Sequence, residues 1–247
     1  MKKILLLFVF LLLLSNTYSQ KIYAWWDVGL KTSYGLTGLI NTKLFDDKIY
    51  EHNLSAGYGI GGKFGFYFGL FNGITVDFML SGNKQKFDYT FDNTQGYIHS
   101  LKWNNYDLAV LYRMQKDGVY LELGPQISFL RKVTNEDSRP GSINGDVSSN
   151  FTDKYFSGIF GVGGYILNYE TFTLMAGFRL GYGFTDLVNA TGKENNFPTP
   201  SQQDRTRASS DVSTNPAFVQ IVLEANLALG YYGRTSCSKR ASIFSFD

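Results

Sequence analysis

Seven ionisable residues carry the chemistry this sequence offers within its regular segments: Asp27, Lys31, Lys63, Asp77, Glu122, Arg179 and Glu224. They are isolated charges of both signs, one or two per segment, on faces otherwise dominated by glycine, serine and threonine. Such a pattern suits a narrow interior in which the charges neutralise one another. An unpaired charge enclosed there costs about several kcal/mol, so Arg179 is expected to meet a carboxylate among Glu122, Asp77, Asp27 and Glu224.

Other candidates are weaker. His52 and His99 are the only histidines, and metal binding would want several His, Cys or carboxylate groups at ligand spacing. A hydrolytic triad would need a serine beside one of them. Ser100, adjacent to His99, points to the opposite strand face, as does Ser55 relative to His52. Gly57-Tyr-Gly-Ile-Gly-Gly62 matches a dinucleotide-binding string, but that string needs a strand-to-helix turn, and no helix follows. Inward glycines that make room for Lys63 explain it better. Asn150-Phe-Thr152 fits a glycosylation acceptor and reads as an ordinary loop. Between Arg131 and Lys154, four bases (Arg131, Lys132, Arg139, Lys154) mix with Glu136, Asp137, Asp146 and Asp153. They could meet lipopolysaccharide or a protein, though such charges are commonly just solvated.

The elements that hold the seven charges are eight segments of period-two alternation. The clearest runs from Leu54 to Phe68: Ala56, Tyr58, Ile60, Phe64, Phe66 and Phe68 share one face, and Ser55, Gly57, Gly59, Gly61, Lys63 and Gly65 the other. The remaining strands are expected at about 23–37, 74–83, 97–114, 119–130, 155–167, 172–184 and 217–231. Their connections alternate long and short. Asn72-Gly73 and Asp117-Gly118 signal tight hairpins, Pro125 suggests a local bulge, and Leu101 and Trp103 fall out of phase with the fourth strand, which suggests a bulge there or residues beyond the membrane. Asp186 to Pro216 is the longest polar segment, and from Pro198 onward it looks flexible.

The chain has 247 residues. Lys2 and Lys3, an apolar run from Ile4 to Leu14, and small Thr17 and Ser19 read as a cleaved export signal over residues 1–19. Residues 20–232 are expected to form one domain, and 233–247 a polar tail. Removing Lys2 and Lys3 from 23 bases leaves 21 against 21 acids, which gives nucleic acid no electrostatic footprint. The single cysteine, Cys237, cannot form an intramolecular disulfide. Aromatic content of 17% and 26 glycines agree with β structure.

Long loops at one rim and short turns at the other, with an even strand number, are the order of an outer-membrane barrel. A soluble lipocalin-like carrier would instead carry many charges outside and line its cavity with apolar groups. Trp25, Trp26, Phe66, Phe68, Tyr112 and Tyr231 map to the short-turn rim, where an interfacial aromatic girdle belongs. The fold expected is therefore all-β, an eight-stranded antiparallel up-and-down transmembrane β-barrel with both termini periplasmic.

Val119-Tyr-Leu-Glu-Leu-Gly-Pro-Gln-Ile-Ser-Phe-Leu130 and Gly177-Phe-Arg-Leu-Gly-Tyr-Gly-Phe-Thr-Asp186 resemble strands of the PorT-like outer-membrane β-barrel family. The resemblance implies an eight-stranded barrel in the outer membrane of a Gram-negative bacterium; some such proteins are tied to secretion. It differs in its polar tail, where Phe246 is only penultimate. The expectation is a non-enzymatic barrel with a side-chain-plugged lumen, without cofactor. Its expected partners are outer-membrane lipids and envelope or secretion proteins met through the loops. A small polar pore is the alternative, and the plug is favoured over it because eight strands enclose little more than their own side chains. A lipid-modifying enzyme is third.

Overall fold

The computed structural model describes residues 24–232 apart from positions 48, 54, 70, 92–94, 170 and 202–208. The expected leader, the polar tail and Cys237 lie outside the described residues. Ten strands follow in chain order: β1 Ala24–Ile40, β2 Tyr50–Asn53, β3 Ser55–Phe68, β4 Asn72–Phe91, β5 Gln95–Lys116, β6 Val119–Asp137, β7 Gly145–Asp146, β8 Lys154–Asn168, β9 Phe172–Gly183 and β10 Asn215–Tyr232. Two short helices, α1 (Thr42–Asp46) and α2 (Ala190–Glu194), lie in the loops.

Eight of the strands close a ring. Each of β1, β3, β4, β5, β6, β8, β9 and β10 pairs antiparallel with its sequence neighbour, and β10 pairs with β1 to seal the seam. The architecture is an eight-stranded antiparallel up-and-down barrel. Closure leaves no long unpaired edge. The short turns and both ends of the described chain share one rim, since Ala24 stands opposite both Tyr232 and Phe68.

Alternation decides what faces where. Leu30 is 73% exposed on the outside while its neighbour Lys31 is fully enclosed. Tyr58, Ile60, Phe64, Phe78, Phe178, Ile221 and Leu223 continue the exposed apolar belt. The barrel is thus apolar outside and charged inside, the reverse of a soluble ligand carrier.

Three local readings are corrected. The tight turn after β3 begins at Gly69, with φ 67°, and Asn72-Gly73 is not part of it but already lies in the β4 ladder opposite Phe68 and Tyr67. Pro125 causes no register change: β5–β6 pairing stops at Ala109–Gln126 and resumes in the same register at Tyr112–Leu123. Proline simply lacks the donor for that stretch. The true bulge falls between Asn104 and Asn105, where the partner strand carries Arg131 as an extra residue. Finally, the described residues from Pro198 onward are not loose: Pro198, Thr199, Ser209, Ser210 and Thr214 are buried.

Strands β4, β5 and β6 run past the belt for the same reason. Their inward residues continue as Phe87, Tyr89, Leu101, Trp103 and Val133, all buried. Loop residues cover them. Leu101, Trp103 and Val133 pack with Leu39, Val147, Phe151, Leu187, Val188 and Phe197, and Phe87 and Tyr89 with Leu44 of α1 and Tyr50 of β2. Leu101 and Trp103 look out of phase only because this upper interior is apolar; their parity is unbroken. The Asn41 amide donates to the Ser209 carbonyl and to Thr214 Oγ1, each at 2.8 Å, and ties the first loop to the last. Tyr89 and Ser201 both donate to the Asp137 carboxylate.

Candidate functional site: the charged lumen

Seven of the eight barrel strands send a charged side chain into the lumen. Lys31 Nζ lies 2.7 Å from Asp77 Oδ2 and 3.0 Å from Glu224 Oε2. Asp77 Oδ2 also takes Arg179, at 2.8 Å. Arg179 reaches Glu122 Oε1 at 2.6 Å, and Glu122 Oε2 accepts from Arg113 at 2.7 Å. Arg113 closes the circuit on Glu224 with two bonds, 2.7 and 2.8 Å. The result is a ring of alternating charge, Lys31–Asp77–Arg179–Glu122–Arg113–Glu224, lying across the barrel. Lys63 branches from it, 2.8 Å from Glu224 and 3.1 Å from Asp27.

Four cations therefore meet four carboxylates, all nearly or wholly enclosed. Burial of each ion is costly, and the arrangement offsets it by giving every charge at least one opposite neighbour at bonding distance. Strand β8 supplies no charge. At its corresponding place stands Gly161, where a β-carbon would come within 2.7 Å of Glu122 Cγ. The glycine is the space into which Glu122 fits. Gly65 does the same for Asp27.

All seven charges expected to point inward stand on the inner face. Arg113, fully buried, was not among them, nor was Asp107, which is also buried. The parity of Tyr112 places Arg113 inside, but the inner face of β5 also carries Ala109 and Leu111, which blur the polar signature. Asp107 lines a cavity of about 30 Å³ with Ser33, Ser81, Gln126, Tyr155 and Arg179. That is room for about one water molecule.

Below the ring, the indole of Trp25 stacks on Tyr67, centroids 3.8 Å apart and planes 8° apart. Trp25 shares the inner face with Asp27, so it is not part of an exterior girdle; its parity opposes that of Trp26. Tyr67 is buried and its hydroxyl accepts from Lys63 at 3.2 Å. Gln115 donates to the Tyr165 hydroxyl beside this pair. Phe66, Phe68 and Tyr112 are exposed on the outer face near the short-turn rim, Trp26 is half-buried there, and the Tyr231 side chain lies outside the described residues.

The remaining candidates are structural in setting. Gly57 to Gly62 lies within β3, between β1 and β4, with no helix after it. His52 is stacked against Phe45 and meets Phe87 edge-on. His99 is buried, stacked on Phe87, with Nε2 bonded to Asn135 Oδ1. Burial pushes its imidazole below the ordinary pKa, and the Asn135 bond and Asp137 offset part of this. Asn150 is buried and bonds Asn195 and the Val147 carbonyl. Among the described residues, no group of three or more His, Cys, Asp or Glu side chains is placed to hold a metal ion.

No family model matches the chain, and no curated protein matches it. Among solved structures it is similar to neisserial surface protein A, with a TM-score of 0.40 at 11% identity, covering 82% of this chain and 96% of that one. It is also similar to outer membrane protein OprG from Pseudomonas aeruginosa, at 0.35 and 11%, covering 84% and 95%. The attachment invasion locus protein Ail of Yersinia pestis follows at 0.33 and 11%, covering 84% and 100%.

Proposed function

We propose that this chain is a non-enzymatic outer-membrane barrel whose sealed lumen serves as a rigid core for a folded platform of extracellular loops. The observation that carries the reading is the alternating ring from Lys31 to Glu224, a cross-section filled by paired side chains with an apolar belt around it. Hydrocarbon is the solvent such an exterior suits. The Trp25–Tyr67 stack below and the apolar cap around Trp103 above favour a plug over a pore. The termini, on the short-turn rim, then face the periplasm. The likeness of residues 119–130 and 177–186 to the PorT-like family agrees with this reading and with a surface-interaction or secretion-accessory role.

Single-channel recording in planar bilayers tests the plug. Silent insertion is expected; steady stepwise conductance by the wild-type chain would overturn it. Unchanged lipid acylation in a deletion strain is the matching expectation for a protein without enzymatic activity.

A further inference from the structure

Just above the belt, the outer surface is basic on one side only. Outward positions of β4, β5 and β6 carry Lys84, Lys86, Lys102, Arg131 and Lys132. Lys84 stands directly opposite Lys102 in the ladder. Lys132 stands opposite Asn104, one outward position nearer the belt. The bulge at Arg131 is what puts two consecutive cations, Arg131 and Lys132, on the exposed side. Without the extra residue one of them would point inward.

The Arg131 guanidinium lies over the ring of Tyr106, 4.7 Å from its centroid, and Tyr106 is the last apolar outward residue of β5 below it. The cations thus begin where the belt ends, and each outward step along a strand is about 7 Å. Lysines opposed across a ladder repel. Burial, then Lys86 and Lys102, hold the Lys84 ammonium below the ordinary lysine range. Acids lie nearby: Glu136, 2.6 Å from Lys102, Asp88 with its ladder partner Glu51, Asp146 near Lys132, and Asp137 in the adjoining cleft. An open cleft of about 470 Å³ runs beside Lys84, Lys86, Ser100 and Glu136. On β1, β3, β9 and β10 the matching outward positions (Leu36, Ala56, Tyr182, Ala217) carry no charge.

We propose that this strip docks the phosphate groups of membrane-lipid headgroups at the loop-side surface. The proposal rests on the membrane reading above. Glu136 serves Lys102, and phosphate supplies further negative charge for Lys84, Arg131 and Lys132 at the depth where headgroups lie above hydrocarbon, reached by the long stems of Arg131 and Lys132 from the belt edge.

The test reconstitutes the full chain in phosphatidylcholine liposomes doped with bisphosphorylated lipid A or with its dephosphorylated form. Co-retained lipid is then counted by native mass spectrometry. The wild type is expected to retain the phosphorylated form preferentially. A variant with Lys84→Gln, Lys102→Gln, Arg131→Gln and Lys132→Gln should insert equally well and lose roughly tenfold or more of that preference. Lys193→Gln, in a distant loop, should keep it. Equal retention of both lipids by the wild type, undiminished preference in the variant, or full displacement by a soluble sulfated polysaccharide overturns the proposal. A wild-type chain that stays in the aqueous phase sinks the membrane reading itself, and this inference with it.

Discussion

Lys31 and Glu224 are register partners across the seam where β1 meets β10, and their side chains join at 3.0 Å inside the barrel. The backbone ladder that closes the cylinder and the ion pair that fills it are the same contact. Glu224 also receives Lys63 and Arg113, so one carboxylate serves three cations.

Glu224→Ala is therefore the most damaging single lumen change. It leaves three enclosed cations sharing fewer acids, and a loss of about 3–5 kcal/mol is expected, as for a broken buried pair. Urea unfolding in detergent micelles, followed by far-UV circular dichroism, measures it.

Arg113→Lys keeps the charge and still destabilises. The guanidinium bonds both oxygens of Glu224 and one of Glu122, and lies 4.3 Å from the centroid of the Tyr120 ring. An ammonium cannot reproduce that fork, so a loss of roughly 1.5–3 kcal/mol is expected in the same unfolding assay.

Gly161→Val overfills the lumen. The new β-carbon takes the space of Glu122 and drives it off Arg113 and Arg179. A cost of about 1–3 kcal/mol or more is expected, while the outward control Phe160→Leu changes stability much less. Thermal gel-shift midpoints compare the two.

Trp103→Ala should loosen the cap and spare the barrel. The indole is 1% exposed among Leu101, Val133 and Phe151, and its loss costs about 3–5 kcal/mol locally. Limited proteolysis should cut the segment between β9 and β10 faster, with strand content unchanged.

Acidification should loosen the same cap. His99 has its pKa lowered by burial, so the unfolded segment takes up protons more readily than the folded one. Its contribution is complete above the ordinary histidine value of about 6.5 and falls as pH drops from there toward the lowered value. Trp103 fluorescence in a Trp25→Phe, Trp26→Phe background should redshift between about pH 7.5 and 5, and His99→Phe should flatten the response.

Strand order and inner-face charges were legible because alternation is strict wherever one face meets charge and the other apolar surroundings, as in β3. Legibility failed where that contrast fails. Phe87, Leu101 and Trp103 are apolar yet inward, because loops rather than lumen charges cover them, so the strands read shorter than they are. Arg113 was hidden by its apolar inner-face neighbours Ala109 and Leu111. The residue type of Trp25 suits the outer rim, but its parity, shared with Asp27, places it inside, and the structure follows parity. Which cation meets which acid is a matter of three-dimensional reach. Lys63 stands opposite Asp77 in register yet bonds Asp27 and Glu224.

The seam also acts as a check on completeness. Ala24 through Ile40 wait for partners that lie at the far end of the chain, Asn215 through Tyr232. A polypeptide halted before Glu224 would hold Lys31, Lys63 and Arg113 without their shared acid and an open first strand besides. Only a chain that includes β10 can seal the ring and supply the acid that Lys31, Lys63 and Arg113 share.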